Sequence, residues 1–254
     1  MRERASLLPH KRSAATLAQR QLRDWVSPLG HGAPKPAPRH GPHRPAPASP
    51  RSIAVVGNAP EAGRIGPLVD RADWVLRFNN AQGFGAATGQ RVTHLFLMNF
   101  GGQTREWLAE ESFHRRPAVA RAQGFVLPID PGRDERRQPT PTRAKWQGGE
   151  QDWTPELAQR LGLHRRPAWL LNDPLFHAAG DALRRHGAAR EAVPSTGFLA
   201  LFWLTRHLGG RRVPVHVHGF GFAGWEGHGW DAERCWAEGQ ARRGLLRLHP
   251  LPPN

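Results

Sequence analysis

The apolar positions of this chain fall into short runs that alternate with helix-like segments from residue 51 onward. Ile53 to Val56 is a continuous run rich in β-branched residues, the pattern of a strand buried on both faces. "WVLRF" (74–78), "THLFLM" (93–98), "GFVLPI" (124–129), "AWLLN" (168–172), "VPVHVHGF" (213–220) and "LLRL" (245–248) read as further strands. Between them, Ile65 to Arg71, "TREWLAEE" (104–111), "TPELAQRL" (154–161), "DPLFHAAGDALRRHG" (173–187), "STGFLALFWLTRHLGG" (195–210) and "WDAERCWAEGQARRG" (230–244) read as helices. Thr154 is expected to cap its helix, with Pro at the first helical position. Gly187 and the pair Gly209-Gly210 supply stops. Such alternation predicts one Rossmann-like α/β domain, a mostly parallel sheet with helices on both faces.

Two stretches fall outside this pattern. Residues 27–50, "SPLGHGAPKPAPRHGPHRPAPASP", alternate Pro with Ala, His and basic residues and cannot bury a core. The expected organisation is therefore a disordered, basic, Pro-rich tail over 1–50 and a folded domain over 51–254. Residues 130–152 lack periodicity and are expected to form a mobile surface loop.

Charge and cysteine usage narrow the function classes. The formal net charge is +15, and only three of the 36 basic residues are lysines. Nine of those basic residues lie in the first fifty positions, against two acids. An arginine-rich solvated surface accounts for this balance better than a nucleic-acid footprint does, so no nucleic-acid partner is expected. Cys235 is the only cysteine, which excludes an intramolecular disulfide and fits a reducing, cytoplasmic location. No apolar run approaches the roughly 18 residues of a membrane span. The first 25 residues can form a basic amphipathic helix, which leaves peripheral membrane contact through the tail open.

In a parallel α/β sheet, ligands bind at the carboxyl ends of the strands, against helix N-termini. Three predicted strand ends carry suitable groups. Gly57-Asn58 follows the first strand, but "GNAPEAG" lacks both the G-x-G-x-x-G of a dinucleotide site and the lysine of a P-loop. Arg77, Asn79 and Asn80 end the second strand; amides there can bind a ribose, base or sugar, and Arg77 is read as a structural or orienting cation. Ser195, Thr196 and Gly197 open the longest apolar helix, where free N–H groups and the positive dipole end favour an anion. His216 and His218 share one face of a strand, but no third metal ligand is implied by the spacing, and no metal or cofactor is expected. His228 lies in a Gly- and Trp-rich loop before the last helix and is the natural general base; Trp225 is placed to wall the site.

These segments resemble the sialyltransferases, glycosyltransferase family 29, in a bacterial-type form. The long motif of that family is matched by Val56-Gly57-Asn58, Gly66, Val69-Asp70, Asp73, Val75, Arg77, Asn79 and Thr93. Its short motif is matched by Pro194-Ser195-Thr196-Gly197 with Gly219-Phe220, and its very short motif by His228 and Glu233. A separate third motif is not visible, and residues 99–190, where acceptor recognition would lie, match no motif. The resemblance implies a GT-A-like variant of the Rossmann fold. It implies inverting, metal-independent transfer of sialic acid from CMP-sialic acid, or of Kdo from CMP-Kdo, to a glycan hydroxyl. In that scheme His228 deprotonates the acceptor. Gly57, Asn58, Asn79, Ser195, Thr196, Gly197, Gly219 and Trp225 bind substrate, and Glu233 orients the loop. Two other classes stand beside it: a CMP-sugar-binding but catalytically impaired relative, and an arginine-rich nucleic-acid-binding protein.

Overall fold

The computed structural model describes residues 26–29, 46–60, 62–85, 87–132, 151–208 and 213–251. The first 25 residues, Gly209-Gly210, and most of the Pro-rich tract and of the 130–152 loop lie outside them. The strands are β1 (Val26–Pro28), β2 (Ile53–Val56), β3 (Trp74–Phe78), β4 (His94–Phe96), β5 (Gly124–Leu127), β6 (Ala168–Leu171), β7 (Val215–His218) and β8 (Arg247–Leu248). The helices are α1 (Gly66–Arg71), α2 (Gly101–Ala109), α3 (Pro117–Arg121), α4 (Thr154–Leu161), α5 (Asp173–Arg185), α6 (Thr196–His207) and α7 (Trp230–Arg242).

The strands form one sheet in the order β1-β6-β5-β4-β3-β2-β7-β8. β2 to β8 are parallel; β1 alone runs antiparallel, on the outer edge of β6. The chain adds β3 to β6 on one side of β2 and then returns to place β7 and β8 on the other. This reversal puts the topological switch point between β2 and β7, where doubly wound sheets bind ligands.

Alternation along β2 splits the core. Ile53 and Val55 face a cluster that includes Leu175 and Phe176 of α5, Phe198 and Phe202 of α6, and Trp236 of α7. Ala54 and Val56 face Val69 of α1. Further along that second face, Leu95 and Phe125 pack with Trp107, Val119 and Leu157 of α2, α3 and α4. Both faces are covered, which is why the central strands read as unbroken apolar runs.

Beyond shifts of a few residues at element ends and the added α3, the structure differs from the sequence expectation at two points. Parts of the segment read as a tail belong to the fold: β1 pairs with β6, Leu29 donates its N–H to Ala168 O (2.9 Å), and Trp74 Nε1 donates to Pro47 O (2.7 Å). An edge strand tolerates Pro28 because one side of its backbone needs no ladder bond. Thr154 is the first helical residue and not the cap, which is Trp153; the Thr154 N–H is taken by Asp152 Oδ1 (2.8 Å), a carboxylate one residue ahead of the cap.

Candidate active site

The carboxyl ends of β2, β3 and β7 bring Gly57-Asn58, Asn79 and Gly219 to one sheet edge. Gly57 N–H donates to His218 O (2.8 Å) and Ala59 N–H to Gly219 O (3.0 Å), so the chain leaves β2 and β7 side by side. A Cβ on Gly57 would lie 2.2 Å from Gly219 O, and Gly219 itself has a φ of +66°. The close approach at these two glycines is thus between strand ends.

Asn58 bridges β2 to the segment after β3. Its Nδ2 donates to Phe78 O (3.1 Å), and its Oδ1 accepts from Gln82 N–H (2.9 Å). Asn79, at a left-handed φ of 50°, accepts from Met98 N–H through Oδ1 (3.0 Å); its Nδ2 has no partner among the described residues. Asn80 turns away: Oδ1 accepts from Trp107 Nε1 (2.9 Å) and Arg116 Nη1 (2.7 Å). Arg77 is fully buried and ties β3 to the 88–91 segment, donating to Arg91 O, Thr88 Oγ1, Thr88 O and Gly89 O at 2.6–3.0 Å. Burial lowers its pKa to about 10, partly opposed by Asp70. Asp70 itself receives the N–H groups of Gln90 and Arg91 (2.8–3.1 Å).

Ser195 caps α6 by accepting Phe198 N–H on Oγ (3.0 Å). The same hydroxyl donates to Glu233 Oε2 (2.7 Å), and Ser195 N–H donates to Glu233 Oε1 (2.8 Å). Both donors of Ser195 are therefore taken by Glu233. The Thr196 and Gly197 N–H groups, in the first helical turn, have no partner among the described residues and point out of the positive end of a 12-residue helix. Glu233 is buried; desolvation raises its pKa to about 7, against the lowering effect of the Ser195 bonds.

The loop after β7 docks beside this helix start. Val193 N–H donates to Gly227 O (2.9 Å), and His228 Nδ1 lies 2.7 Å from Val193 O. A carbonyl oxygen only accepts, so Nδ1 carries the proton and Nε2 keeps its lone pair. The ring sits edge-on to Trp225 and Trp230, with centroids at 4.8 and 4.9 Å. Desolvation lowers the pKa of His228 to about 4, with the Val193 bond opposing it, so the imidazole is neutral at pH 7. Trp225 forms one wall of the histidine and folds back over Gly227, where a Cβ would meet its ring at 2.1 Å.

Phe220 joins the two halves of the site. A Cβ on Gly57 would meet its ring at 2.9 Å, and so would one on Gly197. The ring also packs edge-on against Phe78, at 5.8 Å. Two participants had no residue-level signal: the carbonyl of Val193, a backbone atom, and the contact of Phe220 with both glycines. His216 and His218 lie on the sheet face of Ala54 and Val56, where His249 joins them from the segment after β8.

Comparison with known proteins bears on the family and the fold. A curated relative, the urease operon 23 kDa accessory protein of Rhizobium meliloti (strain 1021), is 24% identical over 204 residues, covering 79% of this chain and 94% of its own. The crystal structure of a mammalian sialyltransferase superposes with a TM-score of 0.51 at 20% identity, covering 78% of this chain and 68% of the other, a likeness of fold. The family model of glycosyltransferase family 29 (sialyltransferase) matches residues 16–236 and so spans every segment that meets at the switch point. This chain belongs to glycosyltransferase family 29, the sialyltransferases.

Proposed function

We propose that the chain is an inverting glycosyltransferase that moves an acidic 2-keto sugar, sialic acid or Kdo, from its CMP-activated form to a glycan hydroxyl. The observation that carries this reading is the fixed tautomer of His228. With Nδ1–H held by Val193 O, a neutral Nε2 is left to accept a proton in the loop that docks beside the start of α6, whose first N–H groups have no partner among the described residues. In the proposed step, Nε2 takes the acceptor hydroxyl proton as the oxygen attacks the anomeric carbon of the donor. The bond from that carbon to the phosphate oxygen breaks, and CMP departs with the electron pair. The Thr196 and Gly197 N–H groups, with the dipole of α6, stabilise the departing phosphate. Asn79 Nδ2 is the donor offered to the nucleotide from β3. A leaving phosphate monoester of low basicity does not need a metal, and the sequence holds no Asp-x-Asp pair to bind one for this step.

The test is to incubate the purified chain with CMP-sialic acid and CMP-Kdo separately, without added divalent cation, and follow CMP release and sugar transfer by mass spectrometry. Turnover of one donor is expected, together with a rise in melting temperature on adding CMP. If neither donor is consumed and millimolar CMP leaves the melting temperature unchanged, the reading fails.

A further inference from the structure

The histidine cluster at the β7–β8 edge lies outside the machinery just described. β7 places His216 and His218 two residues apart and so on one face. His249, directly after β8, is held beside β7 by its own N–H donating to Val217 O (2.9 Å). One donor nitrogen from each of the three side chains lies within 4.8 Å of the others. His216 Nδ1 and His249 Nε2 are 2.9 Å apart, and the rings of His218 and His249 stack at 4.1 Å, 15° from parallel. His218 is buried, His216 half-buried and His249 exposed, so the cluster opens to solvent on one side.

We propose that His216, His218 and His249 form a site for a divalent first-row transition metal of zinc type, with three imidazole ligands and an open fourth position. Imidazole is the ligand type suited to zinc, copper and nickel, and three histidines with one solvent position is an established tetrahedral arrangement. Zn–N bonds of about 2.0–2.1 Å put tetrahedral donors about 3.3 Å apart. The pair at 2.9 Å, a hydrogen bond as it stands, has to open by about 0.4 Å, and nitrogens up to 4.8 Å apart have to close by about 1.5 Å, both within reach of side-chain rotation. No acidic residue takes part, which distinguishes the cluster from a hard-cation site. A bound ion would clamp β8 to β7, the strand whose His218 O receives Gly57 N–H.

The experiment uses the full chain stripped with a chelator and titrated with Zn²⁺ against a chromogenic competitor, with Co²⁺ as a spectroscopic probe. One tight equivalent is expected, with the intense visible bands of four-coordinate cobalt and a Zn²⁺-dependent rise in melting temperature. His249→Ala and His216→Ala should each weaken the site by more than about 100-fold, beyond the loss that follows from disturbing an outer partner. His40→Ala, in the N-terminal segment, should leave it intact and so control for the other histidines. His249 is exposed, so its replacement spares the core, and circular dichroism confirms folding. An absence of chelator-competitive binding, only weak six-coordinate cobalt bands, or unchanged affinity in His249→Ala would each overturn the proposal.

Discussion

At the ends of β2 and β3, polar side chains turn into the protein and find partners there; around the start of α6, the partners leave particular atoms pointing outward. Asn58 uses both ends of its amide, and Arg77 donates to four acceptors. On that side Asn79 Nδ2, beside Asn58 and Arg77, has no partner among the described residues. On the other side, Glu233 takes both donors of Ser195 and Val193 O fixes His228, and two backbone N–H groups and one imidazole nitrogen have no partner among the described residues. A functional residue type at the right sheet edge is thus an incomplete criterion. The informative quantity is the atom that remains after the fold has taken its share.

The largest expected effect comes from removing one of those remaining atoms. His228→Ala should lower the transfer rate by about 10²–10⁴-fold while CMP affinity stays within a few-fold; near-normal turnover would show that Nε2 is not the base. In the wild type, the neutral imidazole is the active form. Its lowered pKa keeps kcat/KM flat from pH 8 down to about 5, with the acid limb near 4. A limb near 6.5 would mean that the ring is not desolvated.

Arg77→Ala tests the inward-turned group. It should cost about 3 kcal/mol or more in urea unfolding, because buried acceptors in the 88–91 segment lose their donors. The contrast weakens if CMP affinity drops far more than stability.

A finer division separates the two asparagines. Asn79→Asp keeps the acceptor for Met98 N–H and tolerates the left-handed backbone, but removes Nδ2 and adds a charge. It should weaken CMP by about 10-fold with little change in melting temperature. Asn58→Ala should do the reverse, losing about 1–2 kcal/mol of stability with CMP affinity nearly unchanged. Titration calorimetry and thermal melts on both variants decide it.

The smallest effect is a slope. Glu233 ionises at about 7 in the folded chain and near 4.5 when unfolded, so the folded state holds its proton more tightly. Its contribution to stability is complete below 4.5 and is lost as pH rises through 7. His228 has the opposite sign, gaining stability up to about 6.5, so the two oppose each other in acid and Glu233 acts alone above. Glu233→Gln should flatten the fall of melting temperature between pH 6.5 and 8.

β2 and β3 coincide with their predicted ranges because buried parallel strands write apolar runs into the sequence, unbroken in β2 and interrupted only by Arg77 in β3. β1 left no such trace: three residues containing a proline become a strand only because the edge of β6 is open to them. α3, five residues long, is too short to show a period. The site was legible as residue types at strand ends and a helix start. Which of Asn58 and Asn79 keeps a free donor depends on contacts with Phe78, Gln82 and Met98, and no spacing encodes them. His249 follows His218 by a whole helix and joins it only through the β7–β8 register.

The position of Phe220 has a consequence for how this family member can vary. Its ring rests where a side chain at Gly57 or at Gly197 would have to go. The three residues, far apart in the chain, therefore share one volume and form a single unit of inheritance. A methyl group at Gly197 is tolerable only if the aromatic ring shrinks at the same time, and at Gly57 the Gly219 carbonyl adds a second, backbone obstacle that a smaller ring does not remove. Combined substitutions at these positions should consequently depart strongly from additivity, and a drifting sequence would have to change them together or keep all three.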